Sequence, residues 1–403
     1  MNKRSKILSL FLAAVLCLGL TACGSKGTAS EESSVSEQAT SSSEVSSEAE
    51  SSVEESTAEV EAQTRTITDM AGNEVVLPKE VKRVVVLSMY PLPSAIANYL
   101  GSAEKIVGMD PFAYAAAKNG LLSQIYPEIL NADTSFVNND SVNIESLIQL
   151  KPDVVFYNAK SDEQKKMLEN AGLTGVAVHA QQNDYNCIKT YNDWFELFNK
   201  VFPGEGPETS KVTEYSQKVY DEIQSRVKDI PQEERMRALF IFRYTDDKLI
   251  ISGRNFFGNW WIETAGGVNV AAEIEEPAGQ PVTMEQVLAW NPGIIFITNF
   301  SGAMPEDLYD NAIGGHDWST VQAVIDRNVH KMPLGSYRTY TPGVDTPVTM
   351  LWVAKQMYPQ KFEDVNIEQE LKSYYKEMFD VELTEEQVQL VLNPVREAAG
   401  QFQ

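Results

Sequence analysis

The chain has 403 residues, and its 57 acidic and 33 basic side chains give a formal net charge of −24 at pH 7. So acidic a chain argues against binding to nucleic acid or direct adsorption to an anionic membrane. Its three cysteines do not provide a disulfide framework, because two of them lie within the first 23 residues.

Residues 1–22 predict a signal peptide. Three basic residues at positions 3, 4 and 6 precede the apolar run Ile7–Leu20, which is too short for an ordinary transmembrane helix. The run ends in Leu20-Thr21-Ala22-Cys23-Gly24, which resembles the lipobox of bacterial lipoproteins, where the new N-terminal Cys carries lipid. The alternative is an uncleaved anchor helix with an incidental Cys. In either case we expect the body to lie on the outer face of the cell membrane.

Residues 23–63 predict a lipidated Cys followed by a disordered tether. From Gly24 to about Ala62 the chain consists mainly of Ser, Glu, Ala, Thr and Val and contains no aromatic residue. The leader carries three positive charges and the tether a net nine negative ones, which leaves −18 on the remaining body.

Residues 64–206 are predicted to form a first α/β lobe. A hairpin that turns at Ala71-Gly72-Asn73 precedes the apolar strand Val84–Leu87, a helix over Ser94–Leu100 and a second strand, Ile106–Met109. The apolar runs at 154–157 and 176–178 continue this rhythm. Alternation of strands and helices predicts a mostly parallel sheet covered by helices on both faces.

Residues 207–230 predict a long helix between two lobes. Its apolar residues recur at helical spacing, namely Val212, Tyr215, Val219, Ile223 and Val227. A helix over 208–227 has a length of about 30 Å and forms a stiff spine, so we expect small hinge motion. A second α/β lobe is predicted over 231–370, and a helical tail over 371–403 that packs outside this second lobe.

One phrase of sequence occurs in both lobes, 140 residues apart. Val142-Asn143-Ile144-Glu145 leads to Lys151–Phe156, and Val282-Thr283-Met284-Glu285 leads to Asn291–Phe296. Each copy predicts a short helix stopped by Pro and then a buried strand. The predicted fold class is therefore α/β, with two similar lobes, a ligand cleft between them, and Glu145 and Glu285 at equivalent surface positions.

Together these elements resemble the helix-spined substrate-binding proteins of ABC importers for ferric siderophores, haem and cobalamin. Further matching segments are Thr68–Val75, Val81–Val85, Leu100–Gly108 and Thr264–Asn269, and the resemblance covers about residues 64–365. It implies a monomeric, non-enzymatic binding protein that delivers its ligand to a permease dimer with its ATPase. It also implies that Glu145 and Glu285 engage arginines of the two permease subunits, although stabilisation of the helix macrodipole explains both glutamates equally well.

The ligand is expected at loops that follow the carboxyl ends of the strands. We predict as ligand-binding residues Tyr90, Tyr114, Arg243, Tyr244, Arg254, Trp260, Tyr337, Arg338 and Tyr340. Arginine forks bind anionic oxygens, and aromatic rings offer rigid contact area. A ferric siderophore is the predicted ligand. Phe256, Phe257, Trp260 and Trp261 can equally be lobe core.

Other ligands and functions are weaker predictions. The three histidines, His179, His316 and His330, are too few for a clamp that binds a bare metal ion. Haem, cobalamin and, less favoured, a molybdate-type oxyanion are alternatives. We expect no cofactor, no metal ligand and no catalytic residue, since the chain has no Gly-x-Ser-x-Gly, Walker, His-Glu-x-x-His or Cys-x-x-Cys motif and Cys187 is expected to be a small core residue. An exported enzyme is the remote alternative.

Overall fold

The structure is a computed structural model that describes residues 63–138 and 141–402. All of these belong to one compact unit, residues 56–403. The predicted signal peptide, the lipidation site Cys23 and the tether up to residue 62 lie outside the described residues. None of the helices in the described part is long and apolar enough to cross a membrane.

The first lobe contains eight strands and six α-helices in its described residues. The strands are β1 (Thr64–Thr68), β2 (Glu74–Pro78), β3 (Val84–Val86), β4 (Ile106–Met109), β5 (Val137–Asn138), β6 (Ser141–Val142), β7 (Val154–Asn158) and β8 (Gly175–Val178). The helices are α1 (Leu92–Leu100), α2 (Pro111–Asn119), α3 (Leu122–Ile125), α4 (Ile144–Gln149), α5 (Asp162–Asn170) and α6 (Cys187–Val201). Short 3-10 turns lie at Pro127–Asn131 and Asn183–Tyr185.

The central sheet of this lobe has the order β4-β3-β7-β8, and every neighbouring pair is parallel. Alternate residues of β7 face opposite sides: Val154 and Phe156 pack in a core with α1 and α6, whereas Val155 and Tyr157 pack in a core with α4 and α5. Strands buried on both faces read as continuous apolar runs, which explains why the sequence predicted them correctly.

The spine is α7 (Lys211–Val227). It begins three residues later than predicted because Ser210 is its N-cap, whose side chain accepts a hydrogen bond from the backbone N–H of Thr213 at 3.1 Å. Its 17 residues correspond to about 25 Å rather than 30 Å. It packs against α6 of the first lobe and against helix Thr346–Met357 of the second.

The second lobe is also built from strands and covering helices. Its strands are β9 (Arg237–Thr245), β10 (Lys248–Ser252), β11 (Val268–Asn269), β12 (Gly279–Pro281), β13 (Ile294–Ile297) and β14 (Val329–Lys331). Its helices are α8 (Phe257–Thr264), α9 (Met284–Trp290), α10 (Pro305–Tyr309), α11 (Gln322–Ile325) and α12 (Thr346–Met357). Short 3-10 turns occur at Gln232–Glu234 and Pro359–Phe362.

The sheet of the second lobe is mostly parallel but mixed. Strand β9 pairs parallel with β11 and β13, and β13 pairs parallel with β14. The hairpin partner β10 runs antiparallel to β9, and β12 extends that edge, again antiparallel. The predicted fold of two α/β lobes, each with a mostly parallel sheet and covering helices, is confirmed.

The tail differs from the prediction in its position. It comprises α13 (Ile367–Phe379), α14 (Glu385–Leu392) and a final 3-10 segment, Arg396–Phe402. This last segment packs on α2 of the first lobe, where Gly400 lies close to Phe112 and Ala115. The tail therefore crosses from the second lobe to the first. Its length and apolar spacing predicted helices, but nothing local in its sequence indicates the distant surface on which they pack.

The two lobes share a continuous apolar core. The large core cluster of the second lobe includes Phe112, Ala116, Leu121 and Cys187 of the first lobe, alongside Val219 and Ile223 of the spine. A contact of this kind between lobes holds them as one packed body and is consistent with the small hinge motion predicted from the spine.

A cleft between the lobes with two unlike walls

A cavity of about 200 Å³ lies between the lobes at the carboxyl ends of their strands. The first lobe contributes polar groups, chiefly Ser88, Tyr90, Asn158, Lys160, His179 and Gln181. The second lobe contributes Phe242, Arg243, Phe256, Phe257, Phe300 and Thr341. The cleft predicted from the two-lobe organisation is therefore present, and its two walls differ in chemistry.

The polar wall is built by loops that follow β3, β7 and β8. Gln164 at the start of α5 links two of them, because its Nε2 donates to Ser88 Oγ at 2.8 Å and its Oε1 accepts from the backbone N–H of Asn158 at 3.2 Å. Asn158 Oδ1 in turn accepts from the backbone N–H of Lys160 at 3.0 Å. These bonds fix the loops before any ligand arrives.

The aromatic wall rests on a buried tyrosine, Tyr340. Its hydroxyl accepts from the backbone N–H of Gly258 at 3.0 Å and bonds to Ser252 Oγ. The rings of Phe242, Phe256 and Phe300 lie around it at 5.5 to 6.2 Å between centroids. Burial raises the pKa of Tyr340, so it stays a neutral hydroxyl. Tyr340 supports the wall from behind.

The charged side chains that line the cavity are cationic. Lys160 and Arg243 line it, and no Asp or Glu of the described residues does. The Arg243 guanidinium lies over the ring of Phe242, 5.1 Å from its centroid. Burial, and then the nearby Lys160, lower the pKa of His179, so this imidazole is neutral at pH 7. Although the protein as a whole is strongly negative, the positive side chains of this cavity favour an anion.

Of the nine predicted ligand-binding residues, the structure brings Tyr90 and Arg243 into the cavity wall. Arg338 lies behind the wall and is 1% exposed. Its Nε donates to the carbonyl oxygen of Asn299 at 2.9 Å, its Nη2 to that of Phe112 at 3.0 Å and to that of Ala398, and its Nη1 to Tyr337 Oη at 2.8 Å. Its donors thus bind the protein itself, which corrects its predicted place at the cleft surface.

Arg254 and Tyr244 also lie away from the cavity. The Arg254 side chain is 54% exposed, donates to the carbonyl oxygen of Ala272 and lies 3.7 Å from Glu275. Tyr244 is buried; its hydroxyl donates to the carbonyl oxygen of Ile313 at 2.6 Å and accepts from Trp318 Nε1 at 3.0 Å. Tyr244 belongs to β9 and Arg254 follows β10, as predicted, but the side chains of both point away from the cavity.

Four more predicted aromatic residues have structural positions outside the cavity wall. Trp260 is packed edge-to-face on Trp261 in the core. Tyr337 accepts from Arg338, and burial raises the pKa of its hydroxyl to about 12. Tyr340 lies behind the wall, and Tyr114 donates to the carbonyl oxygen of Leu130 at 3.3 Å. Phe256 and Phe257, for which the sequence left core and cleft open, line the cavity and also belong to the core cluster of the second lobe.

Sequence reasoning missed most of the polar wall. Lys160 follows β7, and His179 and Gln181 follow β8. The same rule that pointed to Tyr90, namely that ligands meet the carboxyl ends of strands, could have found them. Phe300 follows β13 and could have been found by the same rule.

Cys187, His316 and His330 lie outside the cavity wall and contact other parts of the protein. Cys187 is buried and burial raises the pKa of its thiol. His316 Nδ1 lies 3.0 Å from Tyr244 Oη, and His330 Nε2 lies 2.8 Å from Asn328 Oδ1. Within the described residues, no cluster of three His, Cys, Asp or Glu side chains could hold a metal ion.

Glu145 and Glu285 occupy the same position in α4 and α9. Each is exposed and lies in the first helical turn, after a side-chain N-cap, Asn143 or Thr283. After each helix, a residue with positive φ directly precedes Pro: Lys151 at 48° and Asn291 at 43°. Hydrogen bonds from its own backbone N–H and from Thr283 lower the pKa of Glu285, so it is ionised.

The model of the family described as periplasmic binding protein matches residues 86–333. The chain belongs to this family. It is 29% identical to the molybdate-binding protein MolA of Haemophilus influenzae over 336 residues, which are 78% of this chain and 91% of MolA. It is 25% identical to YvrC of Bacillus subtilis, an uncharacterised ABC transporter substrate-binding lipoprotein, over 90% of this chain and 100% of YvrC.

Solved structures of this family show the same fold. A periplasmic solute binding protein from Veillonella parvula has a TM-score of 0.71 and 28% identity, covering 82% of this chain and 97% of that one. MolA bound to molybdate has a TM-score of 0.64 and 26% identity, covering 79% and 99%. The protein is thus an extracytoplasmic substrate-binding component of an ABC transporter, and its relatives are binding proteins rather than enzymes.

Proposed function

We propose that this protein captures a compact oxyanion of the molybdate type and delivers it to an ABC permease. One observation carries the proposal: a cavity of about 200 Å³ is lined by Arg243 and Lys160 and, within the described residues, by no carboxylate. Opposite charges attract strongly where phenylalanine side chains exclude water, so this cavity selects for negative charge.

The size of the cavity favours a small anion. Pockets for drug-sized molecules usually measure about 300 to 1,000 Å³, and this cavity is smaller. A tetrahedral oxyanion can accept hydrogen bonds from an arginine fork, an ammonium group and neutral donors such as Ser88 and Gln181. The similarity to MolA, which is named for binding molybdate, supports the same ligand class.

The ferric siderophore predicted from the sequence is the second candidate. The observation in its favour is the set of five aromatic rings in the cavity wall, those of Tyr90, Phe242, Phe256, Phe257 and Phe300. Such rings offer the rigid contact area that a bulky anionic chelate uses. Haem and cobalamin share this argument and belong in the same test.

Isothermal titration calorimetry of residues 56–403 separates these candidates. The panel contains molybdate, tungstate, sulfate, phosphate, a ferric hydroxamate, a ferric catecholate, haem and cobalamin. We expect saturable binding of molybdate or tungstate and a loss of about 100-fold in affinity in Arg243→Gln, because the fork and its charge are removed inside a largely apolar cavity.

Arg254→Gln is the matched control, since Arg254 is half exposed and lies outside the cavity wall. It should bind like the unmodified protein. Binding of a ferric chelate alone would keep the transport role and replace the first candidate by the second. If no compound of the panel binds, the assignment of the cavity as the ligand site is wrong.

We further propose that the protein is a monomer, anchored by a lipid on Cys23, that docks on a permease dimer through Glu145 and Glu285. Their exposure and equal placement on the two lobes support a partner with two equivalent subunits. Reversal of both charges to Lys should leave ligand affinity unchanged and lower uptake in cells at least tenfold; normal uptake would contradict this role.

The anchor has a separate test. Mass spectrometry of the N-terminal peptide should show a diacylglyceryl-type mass increase on Cys23, and Cys23→Ser should leave the leader attached or release the protein from the membrane fraction. An unmodified Cys23 at the mature N-terminus would contradict lipidation.

A further inference from the structure

The two lobes expose a matched pair of aliphatic side chains. Ile148 is 44% exposed and Leu288 is 40% exposed. They lie 140 residues apart at the same position of the repeated helix, three residues after Glu145 and Glu285 respectively. Of the large hydrophobic residues exposed in the described part, these two are the ones that occupy equivalent positions in the two copies of the repeat.

Their exposure follows from the packing of each helix. Leu147 and Val287, the residues directly before them, are fully buried in the cores of their lobes. A buried anchor in each helix fixes its rotation, so the next side chain points away from the lobe in the same manner in both copies. Ile148 and Leu288 therefore lie on the outer face of well-packed helices, and their exposure does not result from fraying of a helix end.

Each aliphatic side chain lies beside a carboxylate. Residues three apart in a helix are neighbours on one face, so Ile148 adjoins Glu145 and Leu288 adjoins Glu285. Neither helix contains Lys or Arg, and in the described residues neither glutamate forms an ion pair. Each lobe thus exposes one negatively charged side chain next to one aliphatic side chain.

From this arrangement we infer that Ile148 and Leu288 are the apolar anchors of the permease-docking surface. The inference rests on the proposed docking role of the glutamates and adds the chemistry of the partner. Each subunit of the permease dimer presents a basic residue beside an apolar hollow, and the two hollows are spaced to receive one side chain from each lobe. The glutamates steer and orient the encounter, while burial of the aliphatic side chains supplies affinity that salt does not screen.

The test measures binding of the full-length lipoprotein to its cognate permease and ATPase in lipid nanodiscs, without added ligand, between 50 and 500 mM salt. The variants are Ile148→Ser with Leu288→Ser, and Glu145→Gln with Glu285→Gln. The control is Val76→Ser with Ile325→Ser, which removes two side chains that are 57% and 58% exposed outside the repeat. Single Ser and Ala variants of Ile148 and Leu288 complete the series.

We expect the aliphatic double variant to weaken binding at least tenfold at every salt concentration with an unchanged salt dependence. The glutamate double variant should weaken binding at low salt and flatten the salt dependence, and the control should bind like the unmodified protein. Single variants should each lose about half of the effect on a logarithmic scale. Melting temperatures verify that every variant is folded.

An aliphatic double variant that binds within twofold of the unmodified protein overturns the inference while leaving the docking role of the glutamates intact. If the unmodified protein itself does not bind the importer, the docking role fails and the anchors fail with it. Sedimentation that shows a dimer of the unmodified protein, broken by Ile148→Ser with Leu288→Ser, would instead assign this face to a second copy of the chain.

Discussion

The two lobes are alike on their outer face and unlike in the cleft. Helices α4 and α9 each have a side-chain N-cap, an exposed glutamate, a buried aliphatic residue and an exposed aliphatic residue at equivalent positions. The cavity walls share little: one carries Lys160, His179 and amide side chains, and the other carries phenylalanines and Arg243. The difference agrees with the proposed docking of the outer helices on a partner with two equal subunits, since such an interface needs equal patches whereas a ligand site does not.

Arg338 belongs to neither of these surfaces. It is buried where the two lobes and the tail meet, and it contacts all three. Arg338→Met leaves the carbonyl oxygens of Asn299, Phe112 and Ala398 without that donor, and each unsatisfied buried acceptor costs about 1 to 3 kcal/mol. We expect the free energy of unfolding, measured in urea, to fall by about 3 to 5 kcal/mol.

Arg254→Met is the matched control and should change the free energy of unfolding by less than about 0.5 kcal/mol. If Arg338→Met is as stable as the unmodified protein but no longer binds ligand, the original prediction of a direct ligand contact was right. The buried position of Arg338 would then open during binding.

Tyr340→Phe tests the aromatic wall alone. The change keeps the ring but leaves the backbone N–H of Gly258 without its acceptor, so the free energy of unfolding should fall by about 2 kcal/mol. Tyr114→Phe removes a weaker bond at the edge of the first lobe, 3.3 Å long, and should have a much smaller effect. Equal effects of the two changes would mean that the aromatic wall is not held by Tyr340.

The polar wall should respond to pH through His179. Burial and Lys160 lower its pKa, so the imidazole is neutral at pH 7 and gains a proton only below its usual range. A bound anion favours the protonated form, and anion affinity measured by calorimetry should therefore rise a few-fold between pH 7.5 and 5.5. Without ligand the sign reverses: the unfolded chain takes up the proton first, so acid lowers the stability that this group contributes.

His179→Gln should remove this pH dependence while Lys160→Gln, which removes a fixed charge, should weaken binding at every pH by about tenfold. A pH dependence that persists in His179→Gln would assign it to another group. In that case the two walls would be less different electrostatically than their composition indicates.

Much of the fold could be predicted from local patterns. Apolar runs of residues such as Val154–Phe156 predicted strands buried on both faces, and the stripe from Val212 to Val227 predicted the spine. The site was less accessible, because the side-chain direction of loop residues depends on distant contacts. Arg338 turns inward to carbonyl oxygens of residues 112, 299 and 398, and no spacing in the sequence joins these positions.

The tail gives the chain a particular order of assembly. Helix α2 is synthesised early and Arg338 late, yet both contact the tail, through Gly400 and Ala398 respectively. The junction of the two lobes is therefore completed by a segment 60 residues beyond Arg338, and its contacts can form only after the chain has been synthesised as far as Ala398.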